Sequence, residues 1–170
     1  MVAAGDPIFA SDINDWRPIT AVKNLAGAKN TLIVASADPD LFLNLLTSAT
    51  YDVLLKLFIS SNANLAGDFR WNLGWSGTAS VSYSGLSVVG GIASGGSADV
   101  IASPGTRLDN ASPGLDYVSG ASTAGVTLFG HARVVTSTPV TLTLAWAQRV
   151  SNANDTKLLE GSSMTAQRVL

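Results

Sequence analysis

The residue types that carry most protein chemistry are scarce in this chain and poorly grouped. There is one histidine, His131, no cysteine, and among 12 acidic residues only one glutamate, Glu160. His131 lies in an alternating stretch whose in-phase neighbours are Thr127, Phe129, Arg133 and Val135. That row holds no carboxylate, so neither a zinc site nor a Ser-His-Asp triad can be assembled from it. His131 reads as a structural or interface residue. Asp38-Pro39-Asp40 and the isolated Asp68, Asp109 and Asp116 lie in or beside loops. Calcium favours clustered loop carboxylates, but no EF-hand spacing is present, and turn chemistry accounts for these residues. Glycoside hydrolysis needs a defined pair of carboxyl groups, and nothing picks one out. Gly90-Gly91 and Gly95-Gly96 precede no Lys-Ser/Thr and do not form a phosphate loop. Asn154-Asp155-Thr156 matches a glycosylation acceptor by pattern alone. The expectation is a protein that is not an enzyme, with no cofactor and no metal.

Trp71, Trp75 and Trp146, with Tyr51 and Tyr83, suggest a sugar-stacking platform at first sight. Aromatics in phase on strands are more simply core. The loop residues Arg107, Asp116 and Tyr117 are better placed for any ligand contact.

The elements that must hold these residues are strands. Charged residues make up 13% of the 170-residue chain, about half the usual ~25%. Mean hydropathy is +0.30. So little charge fits either membrane embedding or extensive burial against other chains. The most apolar window, Leu41 to Ile59, is interrupted by Asn44, Asp52 and Lys56, so no membrane insertion is expected and oligomerisation is preferred. The opening MVAAGDP has no basic region and no apolar run, so no cleaved signal is expected. A net charge of −2, with six arginines and four lysines scattered, leaves no footprint for nucleic acid. Ser, Thr, Gly and Val are abundant and surface-helix formers few, which predicts an all-β protein.

Residues 1–28 stand apart as an arm, and 29–170 as the head. The arm carries Pro7, Pro18 and the large apolar residues Ile8, Phe9, Ile13 and Trp16 beside Asp6, Asp12 and Asp15. A segment this short cannot bury them alone. It is expected either to fold back on its own domain or to dock into another subunit, with Asp6, Ile8, Phe9, Ile13 and Trp16 as the assembly residues.

From residue 31 onward the chain reads as strands between turns. Thr31–Ser36 is a short strand, Asp38-Pro39-Asp40 a turn, and Leu41–Leu46 a strand. Residues 50–60 alternate with apolar groups on both faces, which predicts cover on both sides. Phe69–Trp75 and Thr78–Leu86 follow, then an irregular Gly/Ser/Pro-rich region over 87–122. Residues 125–135 and 140–150 alternate and are joined by four residues, as in a hairpin. Lys157–Leu159 and Ser163–Val169 supply terminal strands. Eight or so strands at even spacing predict a β-sandwich of jelly-roll type. The run VTLTLAWAQRV (140–150) raises one question. Leu142, Leu144, Trp146, Gln148 and Val150 share a face, and Gln148 is a primary amide in a core row.

The succession ATYDVLLKLFISS, AGDFRWNLGWSGTASVSY, GVTLFGHARVV and VTLTLAWAQRVSNANDTKLLEGSSMTAQRV resembles small virion proteins of tailed bacteriophages with a trimeric, tumour-necrosis-factor-like jelly-roll head. The opening AGDPIFASDIND is similar to N-terminal segments of phage fibre and minor tail proteins. The resemblance spans about 100 residues of head plus the arm, but no coiled-coil or collagen-like shaft joins the two. It implies a homotrimer with one sheet facing the threefold axis and an arm docked on other virion proteins, of capsid or tail. Such a particle component decorates the capsid or attaches to the host surface. The alternative is a module that recognises a host-surface glycan. On this reading Trp146, at the border, and Gln148 belong to the subunit interface, where the three amides bond to one another, to backbone or to trapped water.

Overall fold

A computed structural model describes residues 17–61, 69–90, 115–117, 126–148, 151 and 153–169. Among them are eleven strands. In chain order these are β1 (Ile19–Val22), β2 (Gly27–Lys29), β3 (Ser36–Leu45), β4 (Ala49–Ser61), β5 (Phe69–Ser76) and β6 (Ala79–Gly90). They continue with β7 (Leu115–Tyr117), β8 (Val126–Thr136), β9 (Val140–Gln148), β10 (Thr156–Leu158) and β11 (Ser163–Arg168). The protein is a β-sandwich of a seven-stranded and a four-stranded sheet, with antiparallel pairing throughout. In the larger sheet β4 is central, with β8 and then β6 along one side. Along its other side lie β11, carrying β1, and β10, carrying β2. The smaller sheet runs β3-β9-β5-β7.

Strict alternation in the sequence produces this layering, because successive side chains on a strand point to opposite faces. Tyr51, Val53, Leu55, Leu57 and Ile59 of β4 meet Leu142, Leu144 and Trp146 of β9 in one continuous core, all buried. Burying each such side chain contributes roughly 1.5–3 kcal/mol. Trp71 and Trp146 stand opposite each other across β5 and β9. Gly130 leaves room for Trp71 and Leu55, since a Cβ there would lie 3.3 Å from the Trp71 ring and 3.0 Å from Leu55 Cδ1.

From β2 to β10 every connection passes from one sheet to the other. Three of these corners meet at one end of the sandwich. The Ser137 amide donates to Thr78 O (2.9 Å) and the Thr78 amide to Thr138 Oγ1 (2.8 Å). Thr47 Oγ1 donates to Ser137 O (2.9 Å). The buried Thr136 hydroxyl accepts from the Ala49 amide (3.1 Å) and lies 2.6 Å from Leu46 O.

Several expectations are corrected by this arrangement. Residues 125–135 and 140–150 are not a hairpin, because β8 and β9 lie in different sheets. Their short link is a corner, with Thr136 turned inward. No strand covers residues 31–35; Thr31 adopts φ 54°, turning the chain, and Leu32, Ile33 and Val34 are exposed. Asp38-Pro39-Asp40 lies inside β3 rather than in a turn. The β3–β9 register shifts there, from Ala37 opposite Ala145 to Phe42 opposite Thr143. Residues 50–60 are covered on one face only, and Leu54 is 57% exposed. Within the stretch 1–28 set apart as an arm, β1 and the first residues of β2 pair in the larger sheet, and residues 1–16 lie outside the described residues.

Gly77 sits at the β5–β6 corner with φ 85°, and a Cβ there would collide with the carbonyl oxygen of Pro139. Gly77→Ala is therefore expected to lower stability by about 1–3 kcal/mol in denaturant unfolding. Gly74→Ala, where a Cβ meets nothing closer than 4.0 Å, is expected to change stability by less than about 1 kcal/mol.

Candidate functional site

Two places gather the chemistry. The first is buried, at the end of β3 and β9 away from the three corners. Asp38 turns into the core at the β3 irregularity, and Lys23, just after β1, reaches it. Lys23 Nζ donates to Asp38 Oδ2 (2.8 Å) and Oδ1 (3.1 Å), with side chains only 3% and 1% exposed. Trp146 Nε1 donates to Oδ2 (2.9 Å), and the Asp40 amide to Oδ1 (3.1 Å). Asp40 Oδ2 lies 3.6 Å from Lys23 Nζ. Lys23 is held from behind, its amide donating to Ser162 O and its carbonyl accepting from Gly161 N. Burial alone drives the Asp38 carboxyl upward. The hydrogen bonds from Lys23, Trp146 and the Asp40 amide outweigh it and hold the group below the usual carboxylate range.

Lys29, on β2, completes the cluster. Its Nζ donates to Ser36 Oγ (2.7 Å) and Trp146 O and stands 4.2 Å above the Trp146 ring. Burial lowers the Lys29 pKa, Asp38 raises it, and Lys23 lowers it further; the net direction is down. Trp146 is thus clasped by Lys29, Asp38 and the stacked ring of Phe69, 5.6 Å away.

Gln148 continues the same row and is fully buried within one chain. Its Nε2 donates to Asn154 O (2.6 Å) and Thr156 Oγ1 (3.4 Å), and its amide N–H to Leu32 O. The amide finds its partners six and eight residues further along, so it needs no second subunit. Trp146 is equally enclosed. The side chains assigned from sequence to a subunit interface therefore lie in the chain's own core.

The second place is the outer face of the seven-stranded sheet. Cross-strand register puts Leu54 between Thr165 and His131, Lys56 between Ser163 and Phe129, and Asp52 between Gln167 and Arg133. Leu54, Val22, Val135 and Phe129 are exposed by 57, 46, 42 and 41%. Charge lies around and among them. Arg133 Nε pairs with Asp52 Oδ1 at 3.2 Å, and His131 Nε2 lies 3.8 Å from the same oxygen. The Asp52 carboxylate comes from the neighbouring strand, which is why the in-phase row of His131 did not contain it.

Other sequence expectations fall elsewhere. Asp6, Ile8, Phe9, Ile13, Trp16 and Arg107 lie outside the described residues. Asp116 and Tyr117 are in β7, opposite Arg70 and Phe69 of β5. Tyr51, Trp71 and Trp146 are core rather than platform. No group of three acidic, histidine or cysteine side chains able to hold a metal occurs among the described residues, and no helix there is long and apolar enough to cross a membrane. The buried Lys23–Asp38 pair is not anticipated from sequence. Its only signal is a lysine and a D-P-D in a chain with little charge to spare.

No family model matches the chain, and no curated protein matches it. Among solved structures it is similar to the infectious bursal disease virus VP2 subviral particle, at 12% identity and TM-score 0.24, covering 91% of this chain and 41% of that one. The structure of the infectious bursal disease virus Gt strain gives 11% identity and TM-score 0.24, over 90% of this chain and 41% of that one. The chain spans about two fifths of the length of these viral chains. Likenesses this slight carry no argument about fold or function.

Replacing Gln148 with leucine removes the donor to Asn154 O and Thr156 Oγ1 and puts an apolar group beside them. Gln148→Leu is expected to cost about 1–3 kcal/mol of head stability, read by thermal or denaturant unfolding.

Proposed function

We propose that this chain is a non-enzymatic structural protein of a tailed-bacteriophage virion. It forms a jelly-roll head that assembles as a homotrimer, with the residues before Ile19 as its docking arm. The jelly roll is supported by strand order: β1-β11-β4-β8 of one sheet faces β3-β9-β5-β7 of the other, and the chain switches sheet at each step from β2 to β10.

The observation that carries assembly is the outer face of the seven-stranded sheet. It leaves Leu54, Phe129, Val135 and Val22 in solvent on a chain with 13% charged residues. Exposed apolar residues scattered singly are ordinary, but here four share one sheet face, interleaved with charged and polar side chains, a mixture of the kind interfaces carry. A second copy is the occupant that fits, because burying this face also explains how so little charge suffices. Asp52, Arg133, His131 and Lys56 then set the register between copies.

Light scattering at micromolar concentration is expected to give three times the chain mass. Leu54→Asp, which puts a carboxylate at the centre of the face, is expected to give monomers with the unfolding midpoint of the head retained. A wild-type monomer overturns the trimer. Purified particles are expected to contain peptides of this chain, and their absence from the particles overturns the virion assignment.

A further inference from the structure

We propose that Lys23 and Asp38 become joined by an intramolecular amide bond between Nζ and Cγ, formed without any other protein and releasing one water. The ion pair and the amide differ only by that water, so no oxidant or co-reactant is needed.

The cluster holds each part such a reaction requires. The amine and the carboxyl are in contact at 2.8 and 3.1 Å, and holding reactants together in this way replaces a bimolecular encounter by a unimolecular step. Both side chains are almost wholly shielded from water. Transfer of a proton from Nζ to Oδ1 along their hydrogen bond gives a neutral amine and a neutral acid, a minor form beside the ion pair because the carboxyl is held ionised, and the form from which reaction proceeds. The Nζ lone pair then attacks Cγ, and the carbonyl electrons move onto Oδ2. Trp146 Nε1 already donates to that oxygen at 2.9 Å and stabilises the oxyanion as it forms. Asp40, with Oδ2 3.6 Å from Nζ, accepts the second amine proton. It passes this proton to the departing hydroxyl at Oδ1, next to its own backbone amide. The Cγ–Oδ1 bond breaks, water leaves, the carbonyl re-forms, and Asp40 is restored as a carboxylate.

Placement gives the bond a mechanical meaning. Lys23 immediately follows β1 of the seven-stranded sheet, and Asp38 belongs to β3 of the four-stranded sheet. An amide between them staples the two layers where the N-terminal segment enters the head. It also replaces two buried charges, which are costly to desolvate, by a neutral group. Lys29 is not the nucleophile, because its Nζ is committed to Ser36 and to the carbonyl and ring of Trp146.

The test is the intact mass of the full chain, measured denatured after purification at neutral pH. The wild type is expected to weigh one water less than its sequence, with the peptides containing Lys23 and Asp38 released by protease as one branched species. Lys23→Arg keeps the charge and the pairing but cannot form the bond, and is expected to show the full sequence mass. Asp40→Asn is expected to slow cross-linking about 10²-fold, and an unchanged rate would remove Asp40 as the proton carrier. A wild type at full sequence mass overturns the proposal, as does a one-water deficit that persists in Lys23→Arg.

Discussion

The two layers of this head close around a single carboxylate. Asp38 is the point where β3 gives up regular pairing, and its side chain collects Lys23 Nζ, Trp146 Nε1 and the Asp40 amide. Remove the carboxylate and a lysine and an indole N–H are left buried together, a loss of several kcal/mol. The irregular register between Ala37 and Phe42 thus has a physical reason. A regular strand would carry β3 straight through, and Pro39, which has no N–H to donate, makes that stretch a poor ladder in any case. The polar cluster in turn positions Trp146, and Trp146 positions Phe69, Trp71 and the rest of the core.

The opposite end is organised differently. There, short corners lean on one another through backbone and hydroxyl groups, with Thr136 Oγ1 and Thr138 Oγ1 satisfying amides that would otherwise lose their partners at the change of sheet. Between the two ends the core is apolar and continuous. The polar investment lies at the ends, and the outer face of the larger sheet leaves Leu54, Phe129, Val135 and Val22 exposed among its charges. Lys23, Lys29, Asp38 and Asp40 serve the buried cluster, while Asp52, Lys56 and Arg133 stand on that face.

Much of this architecture was legible in the sequence, for a definite reason. Alternation reports which residues share a face, so the core rows of β4, β5 and β9 could be read directly from Tyr51–Ile59, Phe69–Leu73 and Leu142–Trp146. Alternation does not report which sheet a strand joins. The link at Thr136–Pro139 therefore read as a hairpin when it is a corner, and the apolar residues Leu54 and Phe58 read as covered when Leu54 lies bare. Gln148 was rightly singled out as anomalous in a core row, but its partners, Asn154 and Thr156, lie a few residues onward in an irregular stretch whose geometry has no sequence signature. The Lys23–Asp38 contact joins residues fifteen apart, one just after β1 and one in β3 of the other sheet, and D-P-D in isolation speaks only for a turn.

The pairing of β1 with β11 sets an order in time. Ile19–Val22 find their partners in Ser163–Ala166, so the first strand of the sheet waits for the last one to be synthesised. Until β11 emerges from the ribosome, β4 has an open edge along Tyr51–Lys56, and β1 has no strand to pair with. Closing a loop of that length before any hydrogen bond forms is entropically slow. The β1 edge of the larger sheet is thereby a late product of folding, set only once the last strand is in place.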